Sequence, residues 1–300
     1  MNSESLAKKA QNRTYPDFQK ENGSEWEGPF YFIQGADTQL GMMTYFERDV
    51  SKRIPGWKEE IRLAKKAIQI INTMTPKPKF FIVCGDLIHA FPGFKDREAQ
   101  EKDFIEVFKE LKKDIPLVCV CGNHDVGNTP TPDSIQGYRD KFGDEYFSFF
   151  CNGVMFIVLN SQYYQDPSLV KDIAEEQDKW LDEQLKEAKS GKYKHVIIFQ
   201  HIPWFLKSPD EEQDYFNIIP EIRLKMLQKF NDANVKAIFC GHYHRNAGGF
   251  YKDLEVIVTS AVGCQLGDDK SGFRIVKLGE EKIEHEYVAF EDAPKNIILK

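Results

Sequence analysis

Leu117-Val118-Cys119-Val120-Cys121-Gly122-Asn123-His124-Asp125 runs from five apolar residues directly into a glycine, an amide, an imidazole and a carboxylate. A short apolar run rich in β-branched residues reads as a strand covered on both faces. Polar residues placed immediately after such strands leave a parallel sheet at one edge, so groups far apart in sequence converge on one crevice. The arrangement recurs. Asp37-Thr38-Gln39 follows the run 29–36, Gly85-Asp86 follows 80–84, His201 follows 196–199, and Gly241-His242-Tyr243-His244 follows 237–240. A single Asp after a strand is usually a turn or a helix cap, but five such stations in this order make coincidence improbable.

The donors at these stations define a chemistry. Asp37, Gln39, Asp86, Asn123, His201, His242 and His244 offer oxygen and imidazole nitrogen without thiolate, a set that suits Mn, Mg, Fe or Zn rather than a soft metal. Asp86 ends a central-looking strand and is the natural bridge between two cations. The expectation is a two-metal hydrolytic centre, with His124 and Asp125 left over beside it.

Outward from these stations, apolar runs alternate with helical periodicity. Residues 29–36, 80–84, 117–121, 155–159, 196–199 and 237–240 read as strands, and 57–74, 98–113, 177–189 and 220–231 as helices with one wet face. Connections of this length imply right-handed crossovers and a largely parallel sheet in the first half. The tail differs: runs at 254–259, 273–278 and 283–289 are separated by short turns, which predicts antiparallel strands of a second sheet packed on the first. Residues 1–28 lack periodicity and read as a polar arm, either flexible or lying extended on a domain of 29–290, with 291–300 as a C-terminal tail. Two connectors, 91–99 and 162–175, follow strand ends and either line the substrate cleft or are ordinary surface loops.

Composition excludes several classes. The net charge of -7 gives no positive field for a phosphate backbone, so nucleic acid is not an expected partner. No apolar run reaches the length of about 18 residues that spans a bilayer. The polar N-terminal stretch has no apolar core of a secretory signal, and the six cysteines include no CxxC pair. A reducing cytoplasm and a monomer are expected.

The order of these stations is similar to that of the calcineurin-like metallophosphoesterase superfamily, over about residues 30–290. The segments PFYFIQGADTQ, KPKFFIVCGDLIHAFPG, DEYFSFFCNGVMFIVLNSQYY and GHYHRNAGG more closely resemble a vertebrate clade of cytoplasmic serine/threonine phosphatases within it. The resemblance implies a four-layer α/β/β/α sandwich of two mixed sheets. It also implies a phosphoprotein substrate, with an Akt-type kinase as a candidate. By the same resemblance Asp37, Gln39, Asp86 and His244 hold one metal, and Asp86, Asn123, His201 and His242 the other. A metal-bridging hydroxide then attacks a phosphomonoester directly, His124 protonates the leaving alkoxide, and Asp125 orients His124. Gln39 stands where the wider superfamily has His, and a neutral amide is a weaker donor, so the first metal is expected to be held more loosely.

Several residues stay open at this level. Arg245 either clamps substrate phosphate or pairs on the surface. His89 sits where purple acid phosphatases carry a metal-bound Tyr, so an iron phenolate is not expected, and His89 either supports the site or packs. Trp204 and Phe205 either wall the cleft or fill core, and His195 and His285 have no motif context. Two functional alternatives also stand: a phosphodiesterase acting on nucleotides or small molecules, and a weakly catalytic metal-binding scaffold.

Overall fold

Each apolar run sends alternate side chains to opposite faces, and each face finds its own core. A computed structural model describes residues 5–46 and 56–299. Its strands are β1 (Phe30–Gly35), β2 (Phe81–Cys84), β3 (Leu117–Val120), β4 (Phe147–Cys151), β5 (Val154–Val158), β6 (His195–Phe199), β7 (Val235–Cys240), β8 (Ala247–Tyr251), β9 (Leu254–Val258), β10 (Gly272–Leu278) and β11 (Ile283–Ala289). The helices are α1 (Lys20–Gly23), α2 (Met42–Phe46), α3 (Lys58–Thr73), α4 (Arg97–Phe108), α5 (Asn123–Val126), α6 (Pro132–Phe142), α7 (Gln162–Gln165), α8 (Lys171–Ala188) and α9 (Pro220–Asp232).

One sheet has the order β11-β10-β1-β2-β3 and the other β4-β5-β6-β7-β9-β8. Strands β1, β2 and β3 are parallel, as are β5, β6, β7 and β9. Phe32, Phe80, Ile82, Phe149, Phe156, Phe199 and Phe239 face one another between the sheets. Tyr31, Ile33, Phe81 and Val83 face the other way, onto apolar residues of α3 and α4. On the far side Met155, Ile157, Val196 and Ile198 meet Leu181 and Leu185 of α8 and Leu227 and Phe230 of α9. The result is the four-layer α/β/β/α sandwich. Its central slab is aromatic, with Phe32 stacked on Phe80 at 4.7 Å and Phe149 on Phe156 at 4.8 Å between ring centroids. Each such pair adds about 1 kcal/mol beyond the area it buries, and the slab fixes how the strand ends of the two sheets face each other.

The tail departs from the expectation of a separate antiparallel sheet. Strand β9 joins the second sheet parallel to β7, while β10 and β11 return to the first, β10 pairing antiparallel with β1 from Phe30↔Leu278 to Gln34↔Arg274. Short turns specify a hairpin partner; the sheet it joins depends on which edge is free. The second sheet is instead built mostly from the middle of the chain, including β4 and β8, which the periodicity did not mark.

Residues 5–28 lie extended across the domain. Arg13 and Phe18 carbonyls accept from the backbone N–H of Ser148 and Phe150, so this segment covers the outer edge of β4. Tyr15 is buried and donates to the Leu117 carbonyl at 2.8 Å. At the other end, Thr75 exchanges backbone hydrogen bonds with Lys295 and Ile297.

Candidate metal centre

The candidate ligands leave the strands through strained backbone. Asp37, Gln39, Asp86, His242 and His244 all adopt positive φ, at 51°, 36°, 48°, 70° and 53°. Non-glycine residues rarely do so, and such strain concentrates at functional sites. The glycines that precede three ligands make room for the others. A Cβ on Gly85 would lie 2.3 Å from His201 Nδ1, one on Gly122 2.2 Å from Asp86 Oδ1, and one on Gly241 2.6 Å from Asp37 Oδ2. The Gly-Asp, Gly-Asn and Gly-His pairs of the sequence therefore record close packing of ligand against backbone.

All seven candidate ligands are buried. Asp86, His201 and His242 form one group and Asp37, Asp86 and His244 another, with the potential ligand atoms of each group within 4.8 Å of one another and Asp86 common to both. Backbone carbonyls aim the imidazoles. His201 Nδ1 meets Cys84 O at 2.8 Å, which leaves Nε2 3.3 Å from Asp86 Oδ2. His244 Nδ1 meets Cys264 O at 2.5 Å, leaving Nε2 3.2 Å from Asp37 Oδ1. His242 Nε2 meets Tyr215 O at 3.1 Å, leaving Nδ1 facing inward. Anchoring the outer ring nitrogen in this way is how proteins fix metal-binding tautomers.

The donor set fits cations. Asn123 Nδ2 is taken by Asn128 Oδ1 at 2.9 Å, and its Oδ1 faces His201 Nε2 at 3.1 Å, with His242 Nδ1 also 3.1 Å from that nitrogen. Asn123 Oδ1, His201 Nε2 and His242 Nδ1 thus crowd one region, which is satisfied by a proton on His201 or by a cation in its place. Gln39 Oε1 is buried without a hydrogen-bond partner, while its Nε2 lies 3.4 Å from His89 Nδ1. The amide oxygen is therefore free to serve as a neutral donor to a cation. Charge is polarised accordingly. Burial disfavours the ionised Asp86, yet the neighbouring His201, His124 and His242 outweigh it and hold the carboxyl well below its usual range. Burial also pulls His201 down, and Asp86 reverses this and raises it to about 9. Burial and the charge of His201 push His242 down to about 3.

His124 stands beside this cluster. Its Nε2 is 4.0 Å from Asp86 Oδ2, and its Nδ1 donates to the carbonyl of His89. Asp125 does not take the orienting role expected of it. Its carboxylate accepts from Gly122 N at 2.7 Å and Leu87 N at 3.1 Å, tying together the two loops that carry Asn123 and Asp86. The guanidinium of Arg245 donates to the Leu266 carbonyl and lies 4.8 Å from the centroid of the Tyr243 ring. His89 stacks on His124 at 4.8 Å, Trp204 and Phe205 fill the outer core of the second sheet, and His195 packs with Nε2 2.8 Å from Gly279 O.

Two contributors escaped the sequence reading. Arg97 donates to the carbonyls of Ala90, His124 and Asp125 at 3.0, 2.9 and 2.6 Å, bracing the loop that presents His124. An arginine in the first turn of a helix opposes the helix dipole, and that misfit was its one signal. Tyr215 places its ring 5.0 Å from that of His242 and its hydroxyl 3.4 Å from Asn123 Nδ2; it lies in an aperiodic loop with no signal. Of the two long connectors, 91–99 borders a cavity next to His124.

Comparison with known proteins agrees with this geometry. A family model described as calcineurin-like phosphoesterase matches residues 36–246. The chain is 50% identical over 285 residues to the serine/threonine-protein phosphatase CPPED1 of Bos taurus, covering 95% of this chain and 91% of the relative. It is 49% identical over 286 residues to the Homo sapiens protein of that name, with coverage of 95% and 91%. Among solved structures, a dimetal phosphatase from Danio rerio superimposes with a TM-score of 0.62 at 17% identity, covering 88% of this chain and 97% of that one. At that identity the likeness speaks for the fold.

Proposed function

Because the chain belongs to the calcineurin-like phosphoesterase family of hydrolases, we propose that it is a two-metal phosphomonoesterase acting on phosphoserine and phosphothreonine in proteins. The carrying observation is the carboxylate of Asp86, common to two buried ligand groups and 4.0 Å from His124 Nε2. The phosphatase name of the relatives adds the substrate class. An Akt-type kinase is the specific substrate that the sequence resemblance adds, and loss of phosphate from the purified phosphorylated kinase tests it.

Asp37, Gln39, Asp86 and His244 would hold one cation, and Asp86, Asn123, His201 and His242 the other. Cations bound there supply Lewis acidity toward a phosphoryl oxygen and lower the pKa of water. The donors suit Mn, Mg, Fe or Zn, and metal analysis of purified protein decides among them. The chain's own residues do the rest. The carbonyl of His89 holds His124 Nδ1 as a donor and leaves Nε2 to carry a proton toward the oxygen of the departing serine or threonine. Arg97 and Asp125 keep that loop in register with Asp86.

A cytoplasmic monomer suits the chain. Its six cysteines are all buried and unpaired, the state a reducing compartment maintains, and the N-terminal segment covers the β4 edge against pairing with a second copy. Hydrolysis of p-nitrophenyl phosphate and of phosphoserine peptides after chelation and refilling with Mn²⁺, with little action on the bis-ester, is the expected result. Preference for the bis-ester would make the enzyme a diesterase, and failure on both with retained phosphopeptide binding would make it a scaffold.

A further inference from the structure

We propose that the cavity beside His124 is a subsite for a large apolar side chain flanking the phosphorylated residue, so that the enzyme selects phosphopeptides with an aromatic or long aliphatic neighbour. The proposal rests on the phosphomonoesterase reading. A phosphomonoester has a single organic arm, the leaving group, and the proton donor must face the oxygen of that arm. With His124 as the donor, the polypeptide therefore departs on the His124 side of the centre.

That side opens on a cavity of about 690 Å³ whose walls include Phe91, Pro92, Phe94, Val126 and Thr129. Phe91 links the two places: its ring centroid lies 4.1 Å from that of His124, and it also lines the cavity. Phe94 stands at the mouth, 65% exposed and 6.2 Å from Phe91 between centroids. An exposed aromatic beside an apolar hollow that adjoins the reacting groups calls for an apolar occupant. Two charged residues also border the cavity, Asp133 and Arg97, and the guanidinium of Arg97 is already committed to Glu101 and to backbone carbonyls.

The test uses two fluorescent phosphoserine peptides that differ only in a neighbouring Phe or Gly, with binding followed by anisotropy and turnover by phosphate release. The Phe peptide should bind and turn over about tenfold better, the size expected for burying one aromatic side chain. In Phe94→Ala the two peptides should come within about twofold of each other. Equal handling of both peptides by the wild type, or a preference untouched by Phe94→Ala, overturns the subsite. Because binding is read separately, the two claims fail separately. Phe-dependent binding without hydrolysis of any monoester keeps the subsite and sinks the phosphatase, whereas hydrolysis indifferent to the neighbour sinks the subsite alone.

Discussion

The imidazole of His124 takes its orientation from the carbonyl oxygen of His89, which accepts from Nδ1. A carbonyl fixes the tautomer as a carboxylate does but brings no negative charge to the ring. His124→Ala should therefore lower turnover of alkyl esters about a hundredfold and that of good aryl leaving groups less than tenfold. Asp125→Asn should leave the dependence on leaving group intact. It should instead cost about 1–3 kcal/mol of stability, because the amide compromises the acceptors that serve Gly122 N and Leu87 N. Equal losses on both ester classes in His124→Ala would take His124 out of the acid role.

Gln39 offers a neutral amide, a weaker donor than an imidazole, and its buried Oε1 has no hydrogen-bond partner. Calorimetric titration with Mn²⁺ should resolve one tight and one looser site. Gln39→Ala should abolish the looser step, and Gln39→His should tighten it by about tenfold, imidazole being the better donor. Two equally tight sites in the wild type would remove the special role of Gln39.

Part of this design is legible in the sequence because the ligands need glycine beside them. Gly85, Gly122 and Gly241 make the stations conspicuous, and the apolar runs before them are continuous because both faces of each strand are covered. Strand β8 is hidden for the converse reason. Its Gly248 has φ of 141° and sits where a Cβ would lie 2.2 Å from Val256 O, so close strand packing excludes the β-branched residues that mark a strand. The β4–β5 hairpin did carry a signal, Asn152-Gly153 with φ of 46° and 76°, a turn that favours tight hairpins. The destination of β10 and β11 is set by long-range contacts such as Arg274 Nε to Thr259 Oγ1 at 2.9 Å, and local pattern does not encode these.

Gly122 has φ of -112°, which alanine tolerates, so Gly122→Ala isolates close approach from backbone strain. The new Cβ would lie 2.2 Å from Asp86 Oδ1 and 2.4 Å from Asp86 N. Asp86 must then move, and activity should fall more than about a hundredfold with loss of bound metal, since small displacements of reacting groups have effects of this size. Full metal content by mass spectrometry would show that Asp86 had not moved.

Metal binding should be linked to pH through His201. Its imidazole, raised to about 9 by Asp86, carries a proton below that pH, and a cation must displace it. Apparent affinity for Mn²⁺ should therefore rise with pH, by about tenfold per unit while this proton alone is displaced, and level off near 9. Proton release measured by calorimetry in buffers of different ionisation enthalpy checks the count, and no release at pH 7 would contradict it.

Glu145 joins the N-terminal segment to the domain. Its fully buried carboxylate accepts from Arg139 Nε and Nη2 at 2.6 Å each, from Arg13 Nη1 at 3.2 Å and from Tyr163 OH at 3.1 Å. Burial disfavours the charged form, but the hydrogen bonds and charges of Arg139 and Arg13 prevail and hold the carboxyl below its ordinary value. A carboxyl depressed in the folded state gives stability that is complete above the unfolded value of about 4.3 and lost as pH falls through the lower folded one. Glu145→Gln, which breaks a buried pair, should cost about 3 kcal/mol at pH 7, and this penalty should shrink as the pH drops below about 4. Because Arg13 belongs to the segment that covers β4, the variant should also expose the bonds from Ser148 N and Phe150 N to faster hydrogen exchange. Unchanged exchange there, with stability lost, would show that the segment holds to the β4 edge without Glu145.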